Sequence, residues 1–374
     1  VTDTPAPPLY LTEPVLGGET FGRLRYHGGY WIIEDAFPAV REFAKRVFPG
    51  SRAYARGGIL TFRATTRAMG DLNWLLLRYP MEISAEDLEI FHQQRERAIA
   101  HAARRKANQH LEPTTPPPSF AGELRPYQAE GVSYLLANRR TLLADDMGLG
   151  KTVVALAGLA SAGAFPALIV TPANIRLQWQ RMAGRFLDID SRTLFRDETG
   201  RAITHLIQGL TPYELPKVPL YLIHYGLLAA WRDALLDLEP RAVIFDEVQE
   251  LRHTGTYKYS AASVLGEKCE LVWGLSGTPI YNYGGEIWAI TNILDYHCLG
   301  DWDSFTREWC AGYGEKIVAA PEALADHVRR EGLMLRRRKA EVASQLPPKR
   351  RIVQAIEHDD STYVKLIKEA VSLA

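Results

Sequence analysis

From residue 140 onward the chain is written in short, unbroken apolar runs separated by longer mixed stretches. Thr141-Leu142-Leu143-Ala144, Ala167-Leu168-Ile169-Val170, Leu220-Tyr221-Leu222-Ile223, Ala242-Val243-Ile244-Phe245 and Leu271-Val272-Trp273-Gly274-Leu275 each predict a strand. Strands covered on both faces read as continuous apolar runs, and helical stretches between them predict a parallel α/β sheet flanked by helices. Upstream the pattern changes. Gly22 to Ile33, rich in aromatic and β-branched residues, predicts a hairpin or strand. Phe37, Val40, Phe43, Ala44, Val47 and Phe48 recur at helical spacing behind Asp35, which reads as the helix cap, with Pro38 in the first turn and Pro49-Gly50 as the stop. Ile59 to Phe62 predicts a strand and Asp71 to Arg78 a helix. Ser84 with Asp87 resembles a capping box that opens a long helix toward Asn108. Residues 1–111 therefore predict a small α+β domain. Four prolines between Glu112 and Ser119 favour an extended spacer over 112–119 and a domain boundary there. The α/β sheet occupies 120–345, and 346–374 continue without a further βα unit.

Composition narrows the class. In 374 residues, 47% hydrophobic and 24% charged residues exclude wholesale disorder, and 44 basic side chains balance 44 acidic ones, so a nucleic-acid partner must be argued from local patches. Cys269, Cys298 and Cys310 form no CxxC pair, which argues against a disulfide framework or a thiolate zinc site and favours a reducing compartment. The histidines show no HxxxH or HExxH spacing, and Ser276 does not lie in a GxSxG elbow. Thr152 to Val170 is the one window that imitates a membrane span, and Gly163-Ala164-Phe165-Pro166 breaks it into a helix, a turn and a strand. These features predict an intracellular protein, cytoplasmic or nuclear, with no membrane partner.

The chemistry concentrates at two places. Asp145-Asp146-Met147-Gly148-Leu149-Gly150-Lys151-Thr152 follows a predicted strand and opens a predicted helix, and differs from the GxxxxGK[ST] phosphate loop in that Asp145 replaces the first glycine. Gly148 and Gly150 still let the backbone curl so that successive N–H groups face a polyphosphate, and the helix start adds its positive dipole end. Lys151 would neutralise the β- and γ-phosphates and Thr152 would offer its hydroxyl to Mg²⁺. Asp246-Glu247 closes the strand Ala242–Phe245, at the end where ligands of open α/β sheets bind. Alone, two carboxylates after a strand read as a helix start. Paired with the loop they predict a nucleoside-triphosphatase, with Asp246 on Mg²⁺ and Glu247 orienting the attacking water.

Further motifs fall in one order along 124–349, and in them the chain resembles the Swi/Snf-type branch of superfamily-two helicase-like ATPases, which are double-stranded DNA translocases. Leu124-Arg125-Pro126-Tyr127-Gln128 resembles that family's adenine-recognition segment, with Gln128 as the base-reading residue and Arg125 beside it. Asp146-Met147-Gly148-Leu149-Gly150-Lys151-Thr152 matches its variant phosphate loop. Thr171-Pro172-Ala173-Asn174 with Gln178-Trp179, and Ile223-His224-Tyr225, resemble its DNA-strand motifs. Asp246-Glu247-Val248-Gln249 corresponds to its acidic box, which adds Gln249 to the catalytic set. Ser276-Gly277-Thr278-Pro279 is similar to its coupling motif, followed by Asn282, Glu286 and Trp288. Leu335-Arg336-Arg337-Arg338-Lys339, Val342 and Leu346-Pro347-Pro348-Lys349 resemble the segment that leaves the first ATPase lobe. Asp146 stands where Glu is usual and Val248 where Ala is usual. The resemblance implies a RecA-like fold, ATP and Mg²⁺, a DNA partner, and a second RecA-like lobe carrying an arginine finger, near whose expected start the chain ends. The expectation is an ATP-dependent DNA translocase or remodelling enzyme whose isolated first lobe binds ATP weakly and hydrolyses it poorly. The alternatives are a non-motor DNA-binding scaffold, or the motor of a restriction or transcription-recycling system.

One patch stands apart. Between Ala36 and Gly70 lie Arg41, Lys45, Arg46, Arg52, Arg56, Arg63 and Arg67 against Glu42 alone, a local charge of +6 with aromatics interleaved. Such a face would bind DNA phosphates, with Arg41, Lys45 and Arg46 as the leading contacts, and the arrangement's distant resemblance to the HARP-type accessory domain of annealing helicases implies branched DNA; the plainer alternative is a solvated basic surface.

Overall fold

The computed structural model describes residues 20–48, 51–54, 58–107, 111–189, 202–277, 284–296, 298–311, 314 and 316–345. Its first part is a mixed five-stranded sheet in the order β3-β4-β2-β1-β5, built from β1 (Arg23–His27), β2 (Tyr30–Glu34), β3 (Arg52–Tyr54), β4 (Ile59–Arg63) and β5 (Glu82–Ile83). Of the hairpin or strand expected from Gly22 onward, the structure forms the hairpin, β1 against β2, turning at Gly28 and Gly29, both at positive φ. Leu24, Trp31, Ile33, Leu60 and Phe62 form one apolar face, covered by α1 (Pro38–Val47), α2 (Thr66–Arg78) and α3 (Ala85–Ala107). Two helix starts differ from expectation. Asp35 is not the cap of α1 but a positive-φ turn residue, and Phe37 precedes the helix with no side-chain cap. Helix α2 begins five residues earlier than its apolar pattern suggested, because the Thr65 hydroxyl accepts the Ala68 N–H. Ser84 accepts the Asp87 N–H at 3.1 Å and so opens α3 as read.

Residues 111–117 form neither helix nor strand, 118–119 turn with the Phe120 N–H on the Pro117 carbonyl at 2.9 Å, and the segment lies against the second part of the molecule. Ser133, on α4 (Pro126–Asn138), takes the Thr114 N–H at 2.9 Å and donates to the Glu112 carbonyl at 2.6 Å.

The second part is a seven-stranded, all-parallel sheet in the order β12-β6-β11-β10-β7-β9-β8. The five expected strands are β6 (Arg140–Leu143), β7 (Ala167–Thr171), β9 (Leu220–His224), β10 (Ala242–Asp246) and β11 (Leu271–Leu275); β8 (Thr204–Leu206) and β12 (Met334–Leu335) add the two edges. Side chains alternate between two cores. Leu168, Val170, Val243 and Phe245 enter one, and Ala167, Ile169, Ala242 and Ile244 the other, which is why each strand reads as an uninterrupted apolar run. Helices α5 (Lys151–Ala162), α6 (Arg176–Phe186), α7 (Leu228–Leu236), α8 (Tyr257–Lys268) and α9 (Gly284–Leu294) cover these faces. Among the described residues no helix is long and apolar enough to cross a membrane.

The two parts touch through the basic segment. Tyr30 donates to Asp301 Oδ2 at 3.1 Å, Arg63 lies 3.6 Å from the same carboxylate, Arg52 pairs with Asp303, and Arg307 donates to the Ser51 carbonyl at 2.9 Å. Asp301 caps α10 (Trp302–Trp309) by accepting the Ser304 N–H. Arg52 and Arg63, two of the seven clustered cations, are therefore engaged in this contact.

Candidate active site

Strands β6, β11 and β10 are adjacent, and their C-terminal ends are in register, Leu143 beside Leu275 and Leu275 beside Asp246. The three chemical motifs follow these ends, so one sheet edge gathers them. After β6, Gly148 at φ 83° and Gly150 at φ 81° bend the loop into α5, whose first residue is Lys151. The Lys151 ammonium folds back on the loop, donating to the carbonyls of Asp145 at 2.7 Å and Asp146 at 3.4 Å. Burial pushes its pKa down, while Glu247, Asp145, Asp246 and Asp146 pull it back. The ammonium and both members of the acidic box thus share one electrostatic neighbourhood. Thr152 is half-buried in the first turn of α5, and Met147 is 68% exposed.

The adenine segment closes on the same loop. Gln128 accepts the Arg125 N–H at 3.0 Å and donates to the Leu149 carbonyl at 3.2 Å, which the Tyr127 hydroxyl also reaches at 3.1 Å. The positive φ favours glycine at position 150, and a Cβ there, 2.5 Å from Gln128 Nε2, would push that amide off the Leu149 carbonyl.

Asp246 is 7% exposed. Its Oδ2 accepts the Trp179 indole N–H at 2.6 Å and the Thr171 hydroxyl at 3.4 Å, and its Oδ1 accepts the Glu247 N–H at 3.1 Å. Burial raises its pKa; the Trp179 bond is the chief opposing influence. Glu247 sits at φ 52° and accepts from Gln249 Nε2 at 2.5 Å, and Gln249 Oε1 in turn accepts the Ser276 hydroxyl at 2.7 Å. A Cβ at Gly277 would meet Met147 Cγ at 2.7 Å and Lys151 Nζ at 3.7 Å. The coupling motif therefore abuts the phosphate loop on one side and the acidic box on the other. Thr278, with Asn282, lies outside the described residues.

The residues expected at a DNA strand divide. Asn174 and Gln178 are exposed, and Pro172 and His224 half-buried, near the C-terminal ends of β7 and β9. Burial lowers the His224 pKa, with Arg176 adding to it. Trp179 and Tyr225 correct the sequence expectation. They are 1% and 5% exposed, so neither ring can meet a DNA strand. Both hold Asp246 instead, Tyr225 by donating to its backbone carbonyl at 2.8 Å. On α1, Arg46 is exposed, Arg41 half-buried, and Lys45 is paired with Glu42 at 2.6 Å.

Asp145, the residue in place of the first glycine, is wholly buried and accepts from the Arg337 backbone N–H at 3.0 Å, Nε at 3.1 Å and Nη2 at 2.5 Å. The sequence showed the basic run 336–339 without showing this partner, since 192 positions separate the pair.

A model of the SNF2-related domain matches residues 127–369. The SWI/SNF-related matrix-associated actin-dependent regulator of chromatin subfamily A-like protein 1 homolog of Caenorhabditis elegans is 31% identical over 244 residues, 63% of this chain and 34% of that protein. The putative ATP-dependent helicase/translocase YwqA of Bacillus subtilis is 29% identical over 272 residues, 67% of this chain and 28% of that protein. The chain thus spans about a third of the length of these curated relatives. The Sulfolobus solfataricus SWI2/SNF2 ATPase core in complex with dsDNA superposes with a TM-score of 0.52 at 25% identity, covering 62% of this chain and 48% of that one. With its RecA-like parallel sheet and the motif order read along it, the chain belongs to the SNF2-related domain family.

Proposed function

We propose that this chain is the first ATPase lobe, with an N-terminal accessory domain, of an enzyme that couples ATP hydrolysis to movement on duplex or branched DNA. Residues 1–111 would be the accessory domain, 112–119 the linker, 120–345 the lobe, and 346–374 the start of the connection to a second RecA-like lobe. The observation that carries the reading is the shared edge of β6, β11 and β10, where Lys151, Asp246-Glu247 and Ser276-Gly277 converge. The solved relative in complex with dsDNA supports a duplex partner.

In this reading the open N–H groups of the loop and the start of α5 bind the phosphates, and Lys151 exchanges the Asp145 and Asp146 carbonyls for phosphate oxygens. The donor set suits Mg²⁺, a hard cation that takes oxygen ligands: Thr152 offers a hydroxyl, and the Asp246 carboxylate is already oriented by Trp179 and the Glu247 N–H. Bound there, the metal would neutralise charge on the β- and γ-phosphates. Glu247 orients the attacking water, and Gln249 fixes the Glu247 carboxylate. Gln128 and Arg125 read the base. Pro172, Asn174, Gln178 and His224 face one DNA strand, and Arg41, Lys45 and Arg46 supply further phosphate contacts from the accessory domain. An arginine finger adds about 10³ to 10⁵ in rate, so the lobe alone binds ATP weakly and turns it over poorly.

Binding of a fluorescent ATP analogue to this chain, and DNA-stimulated hydrolysis by the full-length protein, test the reading. Lys151→Ala is expected to abolish both. Unchanged analogue binding in that variant overturns the site, and robust DNA-stimulated turnover by the lobe alone overturns the need for a second lobe.

A further inference from the structure

The chain that leaves the lobe is part of the wall of the nucleotide loop. Backbone bonds run along the β12–β6 pair and on into the loop: Leu142 N–H to Leu333 O at 2.9 Å, Ala144 N–H to Leu335 O at 2.7 Å, and Asp146 N–H to Arg337 O at 3.0 Å. The Lys339 N–H then donates to Asp146 Oδ2 at 2.9 Å. Arg337 is the centre of this contact. Three of its donors meet the buried Asp145 carboxylate, Nη1 donates to the Tyr127 carbonyl, and the guanidinium lies 5.4 Å from the centre of the Tyr127 ring. Farther along, Gln345 accepts the Tyr127 N–H at 3.0 Å through its side chain and an Arg125 guanidinium bond through its carbonyl. Val342 packs with Tyr127 and Leu149 in a small apolar cluster.

A glycine at position 145 would leave this fork of donors without an acceptor. The departure from the usual phosphate loop is thus matched by a cation 192 residues later, on the segment that leads out of the lobe.

We propose that Arg337 is a positioning residue of the nucleotide site: through Asp145 and Tyr127 it fixes both the phosphate loop and the adenine segment, and it couples nucleotide occupancy to the order of the exit segment 333–345. The inference rests on the nucleotide reading above. Its physical basis is that a buried charge pair is held in one geometry by its hydrogen bonds, and that coupling between two sites is reciprocal. If nucleotide holds the loop, it holds the exit segment, and a loosened exit segment weakens nucleotide binding by the same factor.

Removing Arg337 alone would strand the Asp145 carboxylate and endanger folding. The test therefore uses the paired variant Asp145→Asn/Arg337→Gln, which leaves no buried charge, together with Arg337→Lys, which keeps the charge without the planar fork. Fluorescent ATP-analogue binding and site-resolved hydrogen exchange are measured on the whole chain. In the native chain the analogue is expected to slow exchange of the Ala144, Asp146 and Lys339 amides. The paired variant, still melting cooperatively, is expected to bind about tenfold more weakly and to lose that protection, with Arg337→Lys intermediate. Native affinity and native protection in the paired variant would show that the pair only stabilises the fold, and would overturn the proposal. So would absence of nucleotide-dependent protection in the native chain. Lys151→Ala separates the two readings: if it too leaves analogue binding untouched, the nucleotide site falls; if it abolishes binding while the paired variant does not, the coupling alone falls.

Discussion

The Trp179 indole donates to Asp246 Oδ2 at 2.6 Å with both groups out of solvent, one position along α6 from the exposed Gln178. The helix whose outer face is proposed to follow a DNA strand thus has its inner face on the acidic box. Trp179→Phe keeps most of the ring and removes the donor. It is expected to lower stability by about 1–3 kcal/mol in urea unfolding, the cost of leaving a buried charged acceptor short of a partner. Trp179→Ala adds a cavity and is expected to cost about 3–5 kcal/mol. A Phe variant as stable as the native chain would show that the N–H does not hold the carboxylate.

Trp179 also marks where the sequence stops being legible. The apolar runs displayed the parallel sheet because each strand is covered on both faces, and the glycines of the phosphate loop displayed themselves because both stand at a positive φ that glycine adopts without strain. Strand β12 was invisible: two residues carry no period, and its pairing with β6 is decided by the tertiary structure. Strand β8, three half-buried residues at the other edge, escaped for the same reason. Trp179 and Tyr225 could be matched to motifs, but which face of an element a motif residue takes depends on its neighbours. Asp145 read only as a replacement for the first glycine, and its partner Arg337 became visible in the fold.

Gly158 sits on α5 where a Cβ would meet the Trp273 ring at 2.9 and 3.0 Å. Alanine is favoured over glycine in a helix interior by up to about 1 kcal/mol. Here overpacking wins, because Trp273 is fully buried and has nowhere to move. Gly158→Ala is expected to destabilise the chain by about 1–3 kcal/mol in urea unfolding. A gain in stability would mean that the Trp273 ring shifts freely.

The contact between the two parts of the molecule is expected to respond to acid. Burial opposes ionisation of Asp301, but the Ser304 N–H and hydroxyl, the Tyr30 hydroxyl and Arg63 outweigh it and hold the carboxyl below the ordinary aspartate range. The unfolded chain then binds the proton more readily than the folded one, so stability from this group is present above about pH 4 and is lost as pH falls through the lower folded value. Stability measured between pH 5 and pH 2 is expected to fall less steeply in Asp301→Asn than in the native chain. Equal slopes would show that Asp301 is not held by these partners.

The link from Glu247 through Gln249 to Ser276 joins the acidic box to the coupling motif by two side-chain hydrogen bonds, neither of which touches the phosphate loop. Losing it should affect the chemical step more than binding. In the full-length protein, Ser276→Ala is expected to leave nucleotide affinity within about twofold and to lower DNA-stimulated turnover by about tenfold or more. Gln249→Ala removes both bonds and is expected to do at least as much. Because the two residues act in series, the double variant should be no worse than Gln249→Ala alone, whereas independent residues further apart would multiply their effects. Multiplicative losses in that cycle would mean that Ser276 acts on hydrolysis by a route other than the Gln249 side chain.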